Sequence, residues 1–312
     1  MKDLILFMSW LISFFTREYY LGRALLIIFI SSSFWGVLWM PMRHVESMGV
    51  SSLWVVTMFH FLPALVMLPM VFSIPNASRE DWIRASIAGL LVGAGFVFYA
   101  LGLIVSSVTK TVVLFYMTPI WSTICAYFVI NERVGSARWL AIFGGISGCA
   151  LVMDFNGQTI HFNKADLLGL FSGIFWALGS VTVRRFNKTN FLHVTFLQYL
   201  FGGFMAFGAV LYIGNPTPTL DSFLRAAPIA FLTSALIFLP TALLVFRIMQ
   251  YVSPGLVGIL MLSEALVAAL SAAILLGETL SLWQWLGVIT ILTTGVVIGF
   301  HEGKGKDTKQ AD

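Results

Sequence analysis

Residues 253–278, SPGLVGILMLSEALVAALSAAILLGE, form an apolar stretch whose interior holds one charged residue, Glu264. The run from Pro254 to Leu276 is long enough to cross the hydrocarbon core of a bilayer as an α-helix, which takes about 20 apolar residues. The stretch therefore predicts a membrane-spanning helix.

Nine other segments share this character, and short breaks rich in Asn, Pro and charged residues separate them. The ten predicted spans are 22–43, 50–73, 82–104, 107–130, 136–154, 165–186, 190–213, 226–248, 253–276 and 281–300. No break is long enough for a soluble domain. The pattern predicts an all-α integral membrane protein with ten transmembrane helices.

The composition supports this class. Of the 312 residues, 59% are hydrophobic and 10% are charged, whereas a soluble domain carries about 25% charged residues to face water. The formal charge of +4 comes from basic residues that sit mainly in the breaks and tails. That placement indicates membrane orientation and not nucleic-acid binding.

Sequence motifs for chemistry are lacking. The two cysteines, Cys125 and Cys149, lie inside apolar runs and are expected to be small packing residues. The sequence has no phosphate-binding loop, paired metal ligands or nucleophile–base motif. We therefore expect no enzymatic activity, no metal and no cofactor.

The distribution of Lys and Arg predicts the orientation. If the N-terminus is cytoplasmic, 14 basic residues fall on the inner side, and only Arg43, Lys110, Lys164 and Arg225 fall outside. Basic residues favour the cytoplasmic side, so we expect a protein of the cytoplasmic membrane with both termini inside. Residues 1–21 would form an N-terminal segment with an interfacial helix at 4–15, and residues 301–312 a polar, disordered tail.

The two halves of the chain resemble each other. With an offset of 141, six residues of the first predicted span match the sixth, including Phe34-Trp35 with Phe175-Trp176. With an offset of 146, the fourth and fifth spans match the ninth and tenth, and Glu132 meets Glu278. A repeat of five helices enters the membrane upside down the second time. This predicts inverted repeats at 22–154 and 165–300, an architecture of transporters with the substrate site between the repeats.

Several motifs resemble the drug/metabolite transporter superfamily in its EamA-type form. They are Phe34-Trp35-Gly36, Thr118-Pro119-Ile120, Asn131-Glu132-Arg133, and the segment from Ser263-Glu264 to Leu276-Gly277-Glu278. The resemblance covers residues 22–300. It implies ten helices, a central cavity lined by helices 1, 3, 4, 6, 8 and 9, and commonly export of amino acids, metabolites or drugs.

Two ionisable residues lie near the middle of predicted spans, where a charge is costly unless it faces a cavity or a partner. Glu264 is a candidate for binding a cationic substrate or carrying a proton; its alternative role is an interhelical hydrogen bond. His60 is a second proton-coupling candidate, and a neutral packed histidine bonded to a backbone carbonyl is the favoured alternative.

Helical spacing and the repeat extend the site. Glu264 is paired with Thr118, and Met261 with Phe115, by the offset of 146. Steps of three or four residues from these pairs place aromatic and small polar residues on the same helix faces. The candidate substrate-binding residues are Trp35, Trp39, Tyr99, Phe115, Thr118, Trp176, Ser180, Met261 and Glu264. Such a cavity suits amphipathic or aromatic ligands, although each aromatic residue is as readily a lipid-facing one.

We therefore expect a secondary transporter that exports a small, amino-acid-like, aromatic or amphipathic molecule by alternating access, with proton exchange as the candidate form of coupling. An importer or exchanger is the alternative, and a channel, receptor or membrane-embedded enzyme belongs to a different class. The partners would be the bilayer and the small-molecule substrate. The run Gly144–Gly148 permits close helix contact, which leaves open a homodimer interface or internal packing in a monomer.

Overall fold

The structure is a computed structural model that describes residues 19–74, 77–106, 108–152, 163–276 and 281–307, and within these ranges it is helical without strands. The predicted interfacial segment 4–15, Ser107 and Glu278 lie outside the described residues. The α-helices are α1 Leu21–Trp35, α2 Trp39–Ser47, α3 Ser52–Phe72, α4 Arg79–Val105, α5 Val108–Tyr116, α6 Thr118–Ile130, α7 Ser136–Val152, α8 Leu167–Arg185, α9 Phe191–Ile213, α10 Leu220–Phe231, α11 Leu239–Met249, α12 Pro254–Met261, α13 Ser263–Leu276 and α14 Leu282–Asp307. A 3-10 turn at Lys164–Asp166 precedes α8, and a π-helical segment at Leu232–Phe238 joins α10 to α11.

Eight helical stretches are long and apolar enough to cross a membrane. They are Leu21–Ser47, Ser52–Phe72, Arg79–Val105, Thr111–Ile130, Lys164–Arg185, Phe191–Ile213, Leu220–Met249 and Pro254–Leu275. At the fifth and tenth predicted spans the apolar helical stretches are shorter, namely Ser136–Val152 and, within α14, Leu282–Ile298. Length and hydropathy thus support eight of the ten predicted crossings.

Helix ends follow local signals. Helix α4 begins at Arg79 because Ser78 and Asp81 form a reciprocal capping box. Helix α6 ends at Ile130, because the next residue, Asn131, adopts a left-handed conformation with φ 54°. The C-terminal prediction needs a correction, since α14 continues past residue 300 to Asp307. The first residues of the expected disordered tail are therefore helical.

Three of the spans are interrupted part-way. The first breaks between Trp35 and Trp39, the fourth at Met117, and the ninth predicted span of residues 253–276 breaks at Leu262. The sequence did not predict these breaks. Under the offset of 146 residues, the breaks at Met117 and Leu262 fall one residue apart, so corresponding helices of the two halves are interrupted at corresponding places.

Glycines set the closest helix contacts. Gly89 and Gly93 bring α4 against the backbone of α9, and Gly95 brings it against α8. Helix α7 meets α14 in the same way, because a Cβ added at Gly148 would lie 3.0 Å from the carbonyl oxygen of Gly287. The glycine run of α7 therefore serves internal packing in this structure.

Hydrogen bonds group the connections at two ends of the bundle. At one end, Asn215 donates to Ser51 over 3.3 Å, and Ser106 donates to Asp166. At the other end, Arg138 donates to Ser253 over 2.7 Å. Many large apolar side chains on the outside of the bundle are exposed, including Phe128, Leu140 and Ile274. Such a surface suits lipid and not water.

Candidate functional site

A cavity of about 370 Å³ lies at the level of the helix breaks. Its walls come from the first, third, fourth, fifth and ninth predicted spans. The lining residues are Trp35, Gly36, Leu38, Trp39, Met42, Tyr99, Leu103, Val112, Tyr116, Val152, Glu264, Ala265 and Ala268. Four predicted site residues, Trp35, Trp39, Tyr99 and Glu264, thus meet around one space, which we call the central cavity.

The central cavity continues toward one end of the bundle. A second cavity of about 490 Å³ shares Trp39, Met42, Leu103 and Ala268 with it, and its other lining residues include Arg43 and Glu46 of α2. Arg43 is exposed. We call this second space the mouth and this end of the bundle the open end.

On the opposite side of Glu264 the central cavity narrows sharply. Below Glu264 there is a void of about 10 Å³ lined by Phe115, Tyr116, Thr118, Pro119, Trp176, Gly258, Met261, Leu262 and Glu264. This is barely the space of one water molecule. Beyond it α6 and α12 are in contact, since a Cβ at Gly258 would lie 3.1 Å from the Cα of Pro119. The predicted residues Phe115, Thr118, Trp176 and Met261 therefore form the floor of the site.

Glu264 joins the central cavity to the void beneath it, because it lines both. It stands in the first turn of α13, directly after the break at Leu262. Among the described residues, none forms a hydrogen bond or an ion pair with its carboxylate. It is also the only charged residue among those that line the central cavity.

The two tryptophans of the wall are fixed by hydrogen bonds from their ring nitrogens. The Nε1–H of Trp35 donates to Thr241 Oγ1 over 2.8 Å, and that of Trp39 donates to Ser271 Oγ over 3.1 Å. Both acceptors belong to the second half of the chain. The ring of Trp35 also packs edge-on against Trp176, with ring centroids 6.0 Å apart.

Two tyrosines complete the aromatic wall. Tyr99 of α4 packs on Phe115, with ring centroids 4.7 Å apart, and Tyr116 lies next to Phe115 at 5.6 Å. The sequence did not single out Tyr116, because helical stepping from Phe115 selects another face. Both residues lie in α5, before the break at Met117. Tyr116 lines the central cavity and the void beneath it, whereas Phe115 lines only the void.

Two predicted residues lie elsewhere. Ser180 is buried, and its hydroxyl donates to the carbonyl oxygen of Ala177 over 2.8 Å. The Nδ1 of His60 lies 2.8 Å from the carbonyl oxygen of Val56, and its ring packs between Phe96 and Tyr199. Neither residue lines the central cavity. His60 thus has the geometry of the alternative stated for it, a packed histidine bonded to a backbone carbonyl.

Polar contacts hold the opposite end together, which we call the closed end. The guanidinium of Arg138 donates to Glu132 Oε1 over 2.6 Å and to Ser253 Oγ over 2.7 Å. Arg138 and Glu132 belong to the first half of the chain and Ser253 to the second. The side chains of Arg138 and Glu132 are 11% and 22% exposed, so this is a largely desolvated pair that also connects the halves.

Gln250 forms a second set of contacts at the closed end. Its carbonyl oxygen accepts from Arg184 over 2.6 Å, and its side-chain amide donates to the carbonyl oxygen of Thr189 over 2.5 Å. Its Oε1 accepts from Arg247 over 3.0 Å. The connections after α8 and after α11 are therefore joined through one glutamine.

Within the part of the chain that the structure describes, no group of three or more His, Cys, Asp or Glu side chains is placed to hold a metal ion. What the site offers is an apolar, aromatic cavity with one carboxylate, open at one end.

Comparison with known proteins identifies the family. The sequence model of the EamA-like transporter family matches residues 22–154 and again residues 163–300. The chain belongs to the EamA-like transporter family. Membership makes it a multi-pass membrane protein of a transporter family, whose members act on small molecules and are not enzymes.

Individual relatives match over shorter stretches. An S-adenosylmethionine uptake transporter of Rickettsia felis is 26% identical over 132 residues, which is 40% of this chain and 43% of that protein. A riboflavin transporter of Vibrio cholerae is 31% identical over 71 residues, 23% of each chain. The matches thus span less than half the length of these curated relatives.

A solved structure has a similar fold. A crystal structure of a protein superposes with a TM-score of 0.69, covering 88% of this chain and 97% of the other. The sequence identity is 17%, so the likeness concerns the fold alone.

Proposed function

We propose that the protein is a secondary transporter that carries a small organic molecule through the central cavity by alternating access. One observation carries the proposal. A cavity with a single carboxylate lies at the level of three interrupted helices, and it is open at one end and closed at the other. Interrupted helices at mid-membrane are where secondary transporters place their substrates.

The membrane arrangement that we propose has ten crossings in two inverted five-helix repeats, with both termini in the cytoplasm. The matching breaks at Met117 and Leu262 support the repeat. Helices α7 and α14 would supply the fifth and tenth crossings as a closely packed pair. In this orientation Arg43 and the open end face the outside, and Arg138 lies on the cytoplasmic side, in keeping with the 14-to-4 distribution of basic residues.

The closed end supplies the mechanical part of the proposal. Opening toward the cytoplasm requires Ser253 to leave Arg138 and the two halves to separate below Glu264. The mouth would then have to close around α2, where the break between Trp35 and Trp39 allows α2 to move independently of α1. Short polar contacts of this kind favour one state by a few kcal/mol and can be exchanged for others.

The resemblance to the family led us to expect export, but the relatives support the alternative. Relatives from three Rickettsia species are named as uptake transporters. A cavity open to the outside is also the state that receives a substrate for uptake. We therefore propose import, with S-adenosylmethionine and riboflavin as the first compounds to test.

The test is solute uptake into liposomes that contain the purified protein. A carrier shows saturable uptake and accelerated exchange when the lumen is preloaded with unlabelled substrate. The control is the same lipid without protein. Uptake that rises linearly with concentration and carries an electrical current without exchange would indicate a channel and contradict the proposal.

A further inference from the structure

The inference concerns the chemical class of the substrate, and it rests on the proposed function. The charges around the cavity give the first argument. Glu264 is the only charged residue among those that line the central cavity, and its carboxylate has no protein partner in the described parts of the chain. A charged group in a membrane interior is costly unless a partner neutralises it. A ligand that supplies a positive charge would provide the missing partner.

The central cavity also has few free hydrogen-bond donors. An anionic or carbonyl-rich ligand needs N–H or O–H groups, and the indoles of Trp35 and Trp39 are the only side-chain N–H donors among the lining residues. Both indole N–H groups already donate hydrogen bonds within the protein, to Thr241 and Ser271. The wall therefore presents ring surfaces, with the tyrosine hydroxyls as its remaining donors. This composition disfavours an anion.

The aromatic wall of the cavity also favours a cation. Trp35, Trp39, Tyr99 and Tyr116 line the same cavity as Glu264, and the faces of such rings attract cations. Trp39 already does so within the protein, because the guanidinium carbon of Arg43 lies 6.0 Å from its ring centroid at the mouth. The same ring is therefore suited to a cation that enters past it.

The ligands and the volume of the cavity favour an organic cation over a metal ion. A hard metal ion takes six or more oxygen ligands, whereas Glu264 is the only carboxylate here. A volume of about 370 Å³ is also within the range of small-molecule sites and far larger than one ion.

We propose that the central cavity binds an organic cation, such as a quaternary ammonium or a sulfonium compound, between the carboxylate of Glu264 and the aromatic rings of the wall. The positive group lies against Glu264 and the apolar remainder against Trp39 and the tyrosines.

The test is equilibrium binding to the full chain in detergent, measured by tryptophan fluorescence and by thermal stabilisation. The probes are trimethylphenylammonium, its neutral isostere tert-butylbenzene and the anion benzenesulfonate. We expect the cation to bind at least tenfold more tightly than either other probe. Equal or weaker binding of the cation overturns the proposal.

Two pairs of variants locate the effect. Glu264→Gln should remove at least tenfold of the cation's preference over the isostere, whereas Glu80→Gln, on the exposed start of α4, should leave it unchanged. Trp39→Leu should weaken cation binding several-fold more than Trp39→Phe, which keeps a ring but equally loses the bond to Ser271. If Glu264→Gln fails to fold, the tryptophan pair and the wild-type probe comparison still decide.

The proposed substrate class and the proposed transport function can fail independently of each other. Saturable uptake of a neutral or anionic solute, with no cation preference in binding, would overturn the substrate class and leave the transporter in place. A cation preference without uptake or exchange would do the reverse.

Discussion

The backbone of Glu264 lies directly against Gly36, so closely that a Cβ at position 36 would be 2.5 Å from the carbonyl oxygen of Glu264 and 2.8 Å from the nitrogen of Ala268. No real Cβ fits at these distances, and the atoms involved are backbone. The first helix break can therefore pack against the backbone of Glu264 only because residue 36 has no side chain.

Substitution of this glycine should be costly. We expect Gly36→Ala to destabilise the protein by about 2 kcal/mol, the usual scale of overpacking, and to weaken ligand binding because α1 must move away from α13. The measurement is thermal unfolding in detergent with a parallel binding titration. Gly208→Ala is the matched control, since a Cβ there meets nothing within 4 Å. Equal melting temperatures for the two variants would contradict the prediction.

Acid should weaken the binding of a cation. A proton and an organic cation compete for the same Glu264 carboxylate, so the apparent affinity should fall as the pH is lowered and be flat in Glu264→Gln. The other titratable groups near this carboxylate are Tyr99, Tyr116 and Cys149, each neutral when protonated. Binding titrations between pH 5 and pH 9 test this. A pH dependence that survives in Glu264→Gln would assign it to another group.

Loss of Arg138 should open the closed end. Arg138→Gln removes a desolvated ion pair and a contact between the halves, and breaking such a pair costs up to a few kcal/mol. We expect about tenfold faster modification of a cysteine placed at Thr123, which packs against Gly255 beneath the site. Arg84→Gln, which removes an exposed ion pair with Glu80, is the control. Unchanged labelling rates would show that the contact does not hold this end shut.

His60 should prove to be a packing residue. Its ring is in tight contact with Gly202, where a Cβ would lie 2.4 Å from the His60 Cδ2. We expect His60→Ala to lower the melting temperature by several degrees, as removal of a buried ring does, while the pH profile of transport keeps its shape. A flattened profile in a well-folded variant would restore His60 as a proton carrier.

The positions of the helices were largely predictable from the sequence, because hydropathy alone controls where a chain can enter a bilayer. The eighth predicted span shows the limit of this reasoning. The eighth span was predicted to begin at 226, after two charged residues, but α10 begins at Leu220. Asp221 and Arg225 are tolerated there because they pair one turn apart, with N and O atoms 2.7 Å apart.

The site was predictable only in part. Glu264 stands out because a lone carboxylate in an apolar run is conspicuous, and the aromatic residues followed from helical stepping. Ser180 did not follow, since its hydroxyl is satisfied by the carbonyl oxygen of its own helix. Tyr116 was missed because it directly follows Phe115, and steps of three or four residues along a helix pass over an adjacent residue.

The bonds from Trp35 to Thr241 and from Trp39 to Ser271 have a consequence for release. Each of these two rings is carried by the first half of the chain but oriented by a hydroxyl of the second half. Any motion that separates the halves along this face also frees both rings to rotate. The ligand would then lose its aromatic surroundings at the moment a way out appears, so unloading would need no separate trigger.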